Sequence, residues 1–173
     1  MDKERRAGIA RIALSQDGVR EEGGNNCGPR IREYQAATWL EPAAWPWCAA
    51  YVDWVIMQWV KLLPSNLPLF GDMLPNAWRP LTAGAFDLLE WAKKRKLKIL
   101  PPTADTEAGD IVIFDMSHCG IVTADHVRTT PLIRTIEGNT GPLGKRDSTT
   151  GDGVFQKKRH RSIIRAFIRM ERV

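Results

Sequence analysis

Cysteine and histidine are scarce in this 173-residue chain, with three of each. The cysteines Cys27, Cys48 and Cys119 are odd in number, which excludes a complete disulfide framework. That count fits folding in a reducing compartment with at least one free thiol. No run of about 18 apolar residues occurs, so no membrane span is expected. Met1-Asp2-Lys3-Glu4-Arg5-Arg6 leads into mixed polar and apolar residues rather than the apolar core of a signal peptide, so synthesis in the cytoplasm is expected. There is no Gly-rich phosphate loop ending in Lys-Ser/Thr and no dinucleotide fingerprint after a strand; Gly138-Asn139-Thr140-Gly141 reads as a turn. Internal repeats, low-complexity tracts and long linkers are also missing, and residues 1–173 read as a single domain.

The composition is that of a globular chain, with 43% hydrophobic and 26% charged residues, which argues against disorder. Of the seven Trp, all but Trp91 lie between Trp39 and Trp78, around Cys48. Large aromatics in such numbers read first as core, and only secondarily as an exposed rim for stacking on sugar rings. The net charge is +5, unevenly spread. Residues 157–173 hold Lys157, Lys158, Arg159, Arg161, Arg165, Arg169 and Arg172 against Glu171. Ile163, Ala166, Ile168 and Met170 interleave with these charges, as on a strand with one solvated charged face. A basic segment also favours anionic partners, but no recognised nucleic-acid-binding motif accompanies it, so no specific nucleic-acid partner is expected.

Periodicity predicts an amphipathic helix over 3–16, ended by Gln16-Asp17-Gly18, and a second helix over about 29–39 opened by Pro29. The clearest helix runs from Trp47 to about Leu63, with Cys48, Tyr51, Val52, Val55 and Trp59 on one stripe. Pro64, Pro68 and Pro75 mark a covering loop, and 84–95 is a further helix. Past Pro101-Pro102 the pattern turns to strands at 110–114, 120–123, 132–136, about 153–158 and 163–170. Helices followed by an antiparallel sheet make an α+β fold, with the N-terminal helices packed on the C-terminal strands.

Cys48 begins a helix two residues after Pro46. The unpaired N–H groups and positive end of a helix lower a thiol pKa and can bind an oxyanion. His118, between two predicted strands, is the candidate base; His126 in a polar turn and His160 in the basic tail read as surface residues. Glu137 and Asn139 end the next strand, and alternation puts both on one face, where either can orient the imidazole. A zinc site from Cys27, Cys48, His118 and Cys119 is not expected. There is no C-x-x-C pair, and the adjacent His118 and Cys119 would point to opposite faces of a strand.

Together, several segments resemble the CHAP family, the cysteine- and histidine-dependent amidohydrolases/peptidases related to NlpC/P60 and papain. They are Gly18-Val19-Arg20-Glu21-Glu22-Gly23-Gly24-Asn25-Asn26, Pro29-Arg30-Ile31-Arg32-Glu33-Tyr34, and Trp45-Pro46-Trp47-Cys48-Ala49-Ala50-Tyr51-Val52. Gly109-Asp110-Ile111-Val112-Ile113-Phe114 with His118-Cys119-Gly120-Ile121-Val122, and Ile136-Glu137-Gly138-Asn139-Thr140, complete the match over about 18–140. The resemblance implies a papain-like α+β fold and hydrolysis of amide bonds in bacterial peptidoglycan by an N-acetylmuramoyl-L-alanine amidase or a peptide-crosslink endopeptidase. It implies Cys48 as nucleophile, His118 as base and Glu137 or Asn139 as orienting group. Some members carry an acidic calcium loop before the cysteine. Here 40–47 holds one acid, Glu41, so neither calcium nor any other metal or cofactor is expected. A chain of this length leaves no room for the separate wall-binding module of many members, so none is expected, and the basic tail would supply electrostatic attachment instead. The expectation is a monomer that acts on the wall after release or export, as a phage lysin, a phage-particle component or an exported toxin. The rival reading is a non-catalytic wall- or glycan-binding module that keeps the fold.

Overall fold

The computed structural model describes residues 1–142 and 152–173. Helix α1 spans Lys3–Leu14, and the Asp2 side chain caps it by accepting the Arg5 N–H at 2.8 Å. Ile9, Ala10 and Ala13 form its buried face. Helix α2 spans Pro29–Gln35, with Pro at its first position, where the missing N–H costs nothing. Helix α3, Cys48–Lys61, is the centre of the fold. The predicted single stripe understates its burial: every residue from Cys48 to Ile56 is buried, as are Trp59 and Val60. The reason is tertiary, since α1, α2, β3 and β4 pack around it on different sides. Hydrogen bonds from Tyr51 Oη to the Ala13 carbonyl (2.9 Å) and from Trp59 Nε1 to the Arg5 carbonyl (2.8 Å) tie α3 to α1.

The proline-rich stretch forms a 3-10 turn at Pro68–Phe70 and a short helix α4 at Pro75–Trp78, which bury Leu69, Phe70 and Trp78. Helix α5 is Asp87–Lys94, shorter than the predicted 84–95. Lys96 then takes a positive φ of 54°, and strand β1, Leu97–Leu100, follows. Local pattern gave no sign of β1, since Leu97-Lys98-Ile99-Leu100 is too short to show a period of two.

The remaining strands are β2 (Ile111–Phe114), β3 (Cys119–Val122), β4 (Leu132–Thr140), β5 (Gly153–His160) and β6 (Ile164–Arg172). They form one antiparallel six-stranded sheet in the order β1-β6-β2-β3-β4-β5. The α+β expectation therefore holds, with helices first and an antiparallel sheet second. The C-terminal strand inserts between β1 and β2 instead of extending the meander. One face of the sheet, with Ile111, Ile113, Cys119, Ile121, Ile136 and Ile168, joins the helices in the main core. The other carries a smaller cluster of Val112, Phe114, Val122, Ile133, Ile164 and Phe167.

Two expectations are corrected by the packing. His126 is buried rather than superficial, and its Nε2 accepts the Arg134 N–H at 2.8 Å. The tail is only in part a solvated charged face. Arg169 pairs with buried Asp110 (2.9 and 2.8 Å) and with Glu107, and Arg161 donates to the carbonyls of Thr130 and Ala104 (2.7 and 2.9 Å). These cations clamp loops to the sheet, which leaves fewer of them for an outside anion. His160 is exposed, as expected.

Candidate active site

Trp45-Pro46 prevents the chain from entering a helix earlier, so α3 starts on the cysteine itself. Its N-cap, Trp47, supplies no side-chain cap to the first-turn N–H groups. Trp47 is held instead by its ring, stacked on Tyr34 with centroids 5.6 Å apart, and by its Nε1–H, which donates to Glu21 Oε1 at 2.9 Å. The sulfur of Cys48 thus lies at the positive end of a 14-residue helix, with 8% of the residue exposed.

His118 immediately precedes β3, at the end of the hairpin closed by the Phe114 N–H to His118 carbonyl bond (3.0 Å). Its ring stacks on Phe114, centroids 5.6 Å apart and planes within 17°. The thiol of Cys48 meets two groups from this hairpin, the imidazole of His118 and the side chain of Cys119. The expected opposition of His118 and Cys119 does not keep either from the sulfur. Cys119 belongs to the helix-facing core, while His118 stacks on Phe114 of the other cluster. The helix tip lies where β3 begins, and both side chains reach it there.

The third group is Glu137, on β4. His118 Nε2–H donates to its Oε2 at 3.0 Å, and the carboxylate is fully buried. Its other partners are the Thr135 hydroxyl (2.5 Å to Oε1) and Arg159, whose Nε and Nη2 lie 2.9 Å from Oε1 and 2.5 Å from Oε2. Of the two sequence candidates, the structure places Glu137 and not Asn139 on the imidazole. Alternation fails between them because β4 carries one extra residue there: Glu137 opposes Phe155 and Thr140 opposes Gly153. Asn139 takes a φ of 54° within this bulge and is buried, and the imidazole's carboxylate partner is Glu137.

Two glycines allow the approach of the elements. A Cβ on Gly120 would lie 2.6 Å from Glu137 Cγ, and one on Gly138 would lie 2.7 Å from Tyr51 Cβ and 2.8 Å from Trp47 Cζ3. Gly120 makes room for the carboxylate, and Gly138 lets β4 close on α3.

The electrostatics follow from these contacts. Hydrogen bonding with Cys119 and the hydrogen bond and charge of His118 hold the Cys48 thiol well below its usual range, against the opposing effect of burial. Burial and the same contact push the Cys119 thiol well up, so Cys119 is the donor to a Cys48 thiolate. Burial alone would depress His118, but Cys48 and Glu137 outweigh it and raise the imidazole to about 9. Burial alone would raise Glu137, but Arg159 and His118 outweigh it and hold the carboxyl at about 2. These shifts favour negative charge on the Cys48 sulfur and a proton on His118, backed by the Glu137 carboxylate, an arrangement suited to nucleophilic attack and proton return.

Sequence reading missed Arg159, Thr135 and Phe114. Nothing local separates Arg159 from its neighbours Lys157 and Lys158; only the β4–β5 pairing puts it beside Glu137. Cys27 is far from this chemistry in role: it is a free, half-buried residue of the loop before α2. One surface cavity away from these residues, of about 560 Å³, is lined by Met57, Leu63, Leu74 and Arg79 among others.

A scan of protein-family models matches none to this chain, and searches of curated proteins and of solved structures return no significant match. The site and the α+β fold define a protein with a buried cysteine–histidine–glutamate line at a helix N-terminus.

Proposed function

We propose that the chain is a cysteine amidohydrolase. More particularly, it is a CHAP-like peptidoglycan hydrolase of papain-like fold, cutting as an N-acetylmuramoyl-L-alanine amidase or as a crosslink endopeptidase. The observation that carries the reading is the line Cys48–His118–Glu137, with the thiol at the uncapped start of α3. The choice of peptidoglycan rests on the sequence resemblance.

In this reading the Cys48 thiolate attacks the amide carbonyl, and the tetrahedral oxyanion is received by N–H groups of the first turn of α3. The His118 imidazolium gives its proton to the leaving amine as the C–N bond breaks, leaving a thioester on Cys48. Neutral His118 then takes a proton from water as it attacks the thioester, which releases the acid and restores the thiolate–imidazolium pair. Glu137 keeps the Nε2–H occupied, so the other ring nitrogen is the one that serves the sulfur.

The test is mass spectrometry of purified peptidoglycan after digestion by the native chain, by Cys48→Ser and by His118→Ala. Peptides with a free L-alanine N-terminus are the expected product of an amidase, and cut cross-bridges that of an endopeptidase. Both variants should lose at least about a hundredfold in rate. Undigested wall with the native chain, across Gram-positive and Gram-negative sources, refutes the reading.

A further inference from the structure

Glu137 is an unusual partner for a catalytic imidazole in this chain, because its carboxylate has no exposure and yet stays ionised. A buried carboxylate left with an imidazole alone tends to take up a proton, since desolvation penalises the charge. Arg159 meets this need. Its guanidinium addresses both carboxylate oxygens, with Nε at 2.9 and 3.1 Å and Nη2 at 2.5 Å. Such a fork fixes the plane of the carboxylate as well as its charge. The same guanidinium lies over the Phe114 ring at 5.7 Å from its centroid, and Phe114 stacks on His118. Arg159, Glu137, His118 and Phe114 therefore close a ring of contacts in which each side chain limits the rotation of the next.

We propose that Arg159 is a positioning residue that holds Glu137 ionised and in plane, and thereby sets the proton affinity and orientation of His118 at Cys48. It acts on the imidazole through Glu137 and Phe114. Among the described residues, the titratable and charged groups around the imidazole and carboxylate are Cys48 from α3, Cys119 from β3, and Lys157 and Arg159 from β5, with Asp53 of α3 acting on Cys119. Of these only Arg159 and His118 bond the carboxylate as cations. The effect on turnover rests on the hydrolase reading; the effect on the imidazole does not.

The experiment uses the full chain with Arg159→Gln and Arg159→Lys. His118 is titrated by NMR of its ring resonances, and kcat and KM on peptidoglycan are followed against pH. In Arg159→Gln the imidazole should titrate closer to neutral, the alkaline limb of activity should move with it, and kcat should fall about tenfold or more with little change in KM. Arg159→Lys keeps the charge but not the fork, and should recover part of both. If Arg159→Gln does not fold, the Lys variant decides. A His118 titration in Arg159→Gln that overlays the native one overturns the proposal, as does a native-like titration and pH–activity profile in Arg159→Lys where the Gln variant does not fold. A native chain that leaves peptidoglycan uncut sinks the proposed function alone, because the titration shift is read without substrate.

Discussion

His118 and Cys119 are neighbours in the chain, lie toward opposite faces of the sheet, and still both reach the sulfur of Cys48. The pair divides the work on that sulfur. The imidazole supplies a positive charge, and the Cys119 S–H supplies a hydrogen bond to the thiolate.

The Cys119→Ala variant tests that division. It removes the donor, so the Cys48 pKa should rise and alkylation by iodoacetamide at mildly acid pH should slow several-fold, while His118 stays in place. Labelling rates followed by intact-mass spectrometry check this; an unchanged rate would show that His118 suffices.

Gly120→Ala separates geometry from stability. The added methyl falls 2.6 Å from Glu137 Cγ and 2.8 Å from the Ile136 carbonyl oxygen, so Glu137 must shift. Overpacking of this kind costs about 1–3 kcal/mol, and the activity loss should exceed what the fraction unfolded explains. Thermal melts alongside hydrolysis rates make the comparison.

Asp53 predicts a pH effect of its own. It is fully buried one turn beyond Cys48, its Oδ2 accepts the Thr82 N–H at 2.6 Å, and burial pushes its carboxyl well up. The fold keeps a proton that the unfolded chain releases above 3.8, so stability falls as pH rises from there, by about 1.4 kcal/mol per unit while that difference lasts. Asp53→Asn should flatten this slope and melt higher than the native chain at alkaline pH. A native-like slope in the variant would assign the effect elsewhere.

The site pair acts at the two ends of the pH scale. Glu137, depressed to about 2 from 4.5, stabilises the fold fully above 4.5, and that contribution drains away as pH falls toward 2. His118, raised from 6.5 to about 9, contributes fully below 6.5 and loses its contribution as pH climbs through 9. Urea midpoints measured in the Asp53→Asn background should therefore decline at both extremes. Between 6.5 and 9 the lowered Cys48 thiol offsets the raised imidazole, since the pair holds one proton folded or unfolded, so the midpoint should stay nearly level there; a steep fall across that range would speak against the pair.

Arg169→Met tests the tail as clamp. Arg169 bonds Asp110, which is 1% exposed, through two nitrogens. Removing one member of a buried pair costs about 3–5 kcal/mol, so the melting temperature should drop sharply. Arg165, exposed and facing Asp115 at 3.5 Å, should tolerate the same change with little loss.

Much of this molecule was legible as local pattern. Pro46 before an apolar 3.6-residue repeat marks the start of α3 and puts Cys48 on its first turn. Two apolar runs separated by Asp115-Met116-Ser117 mark the hairpin that carries His118, and helices ahead of strands give the α+β class. These features need only backbone preference and side-chain period, which act over a few residues. The choice of Glu137 over Asn139, the recruitment of Arg159, the burial of His126 and the insertion of β6 between β1 and β2 came from strand pairing and a one-residue bulge. Alternation tells which side of a strand a residue faces. It does not tell which strand lies beside it, and that is what brings Arg159, Glu137 and His118 into one line beside Cys48.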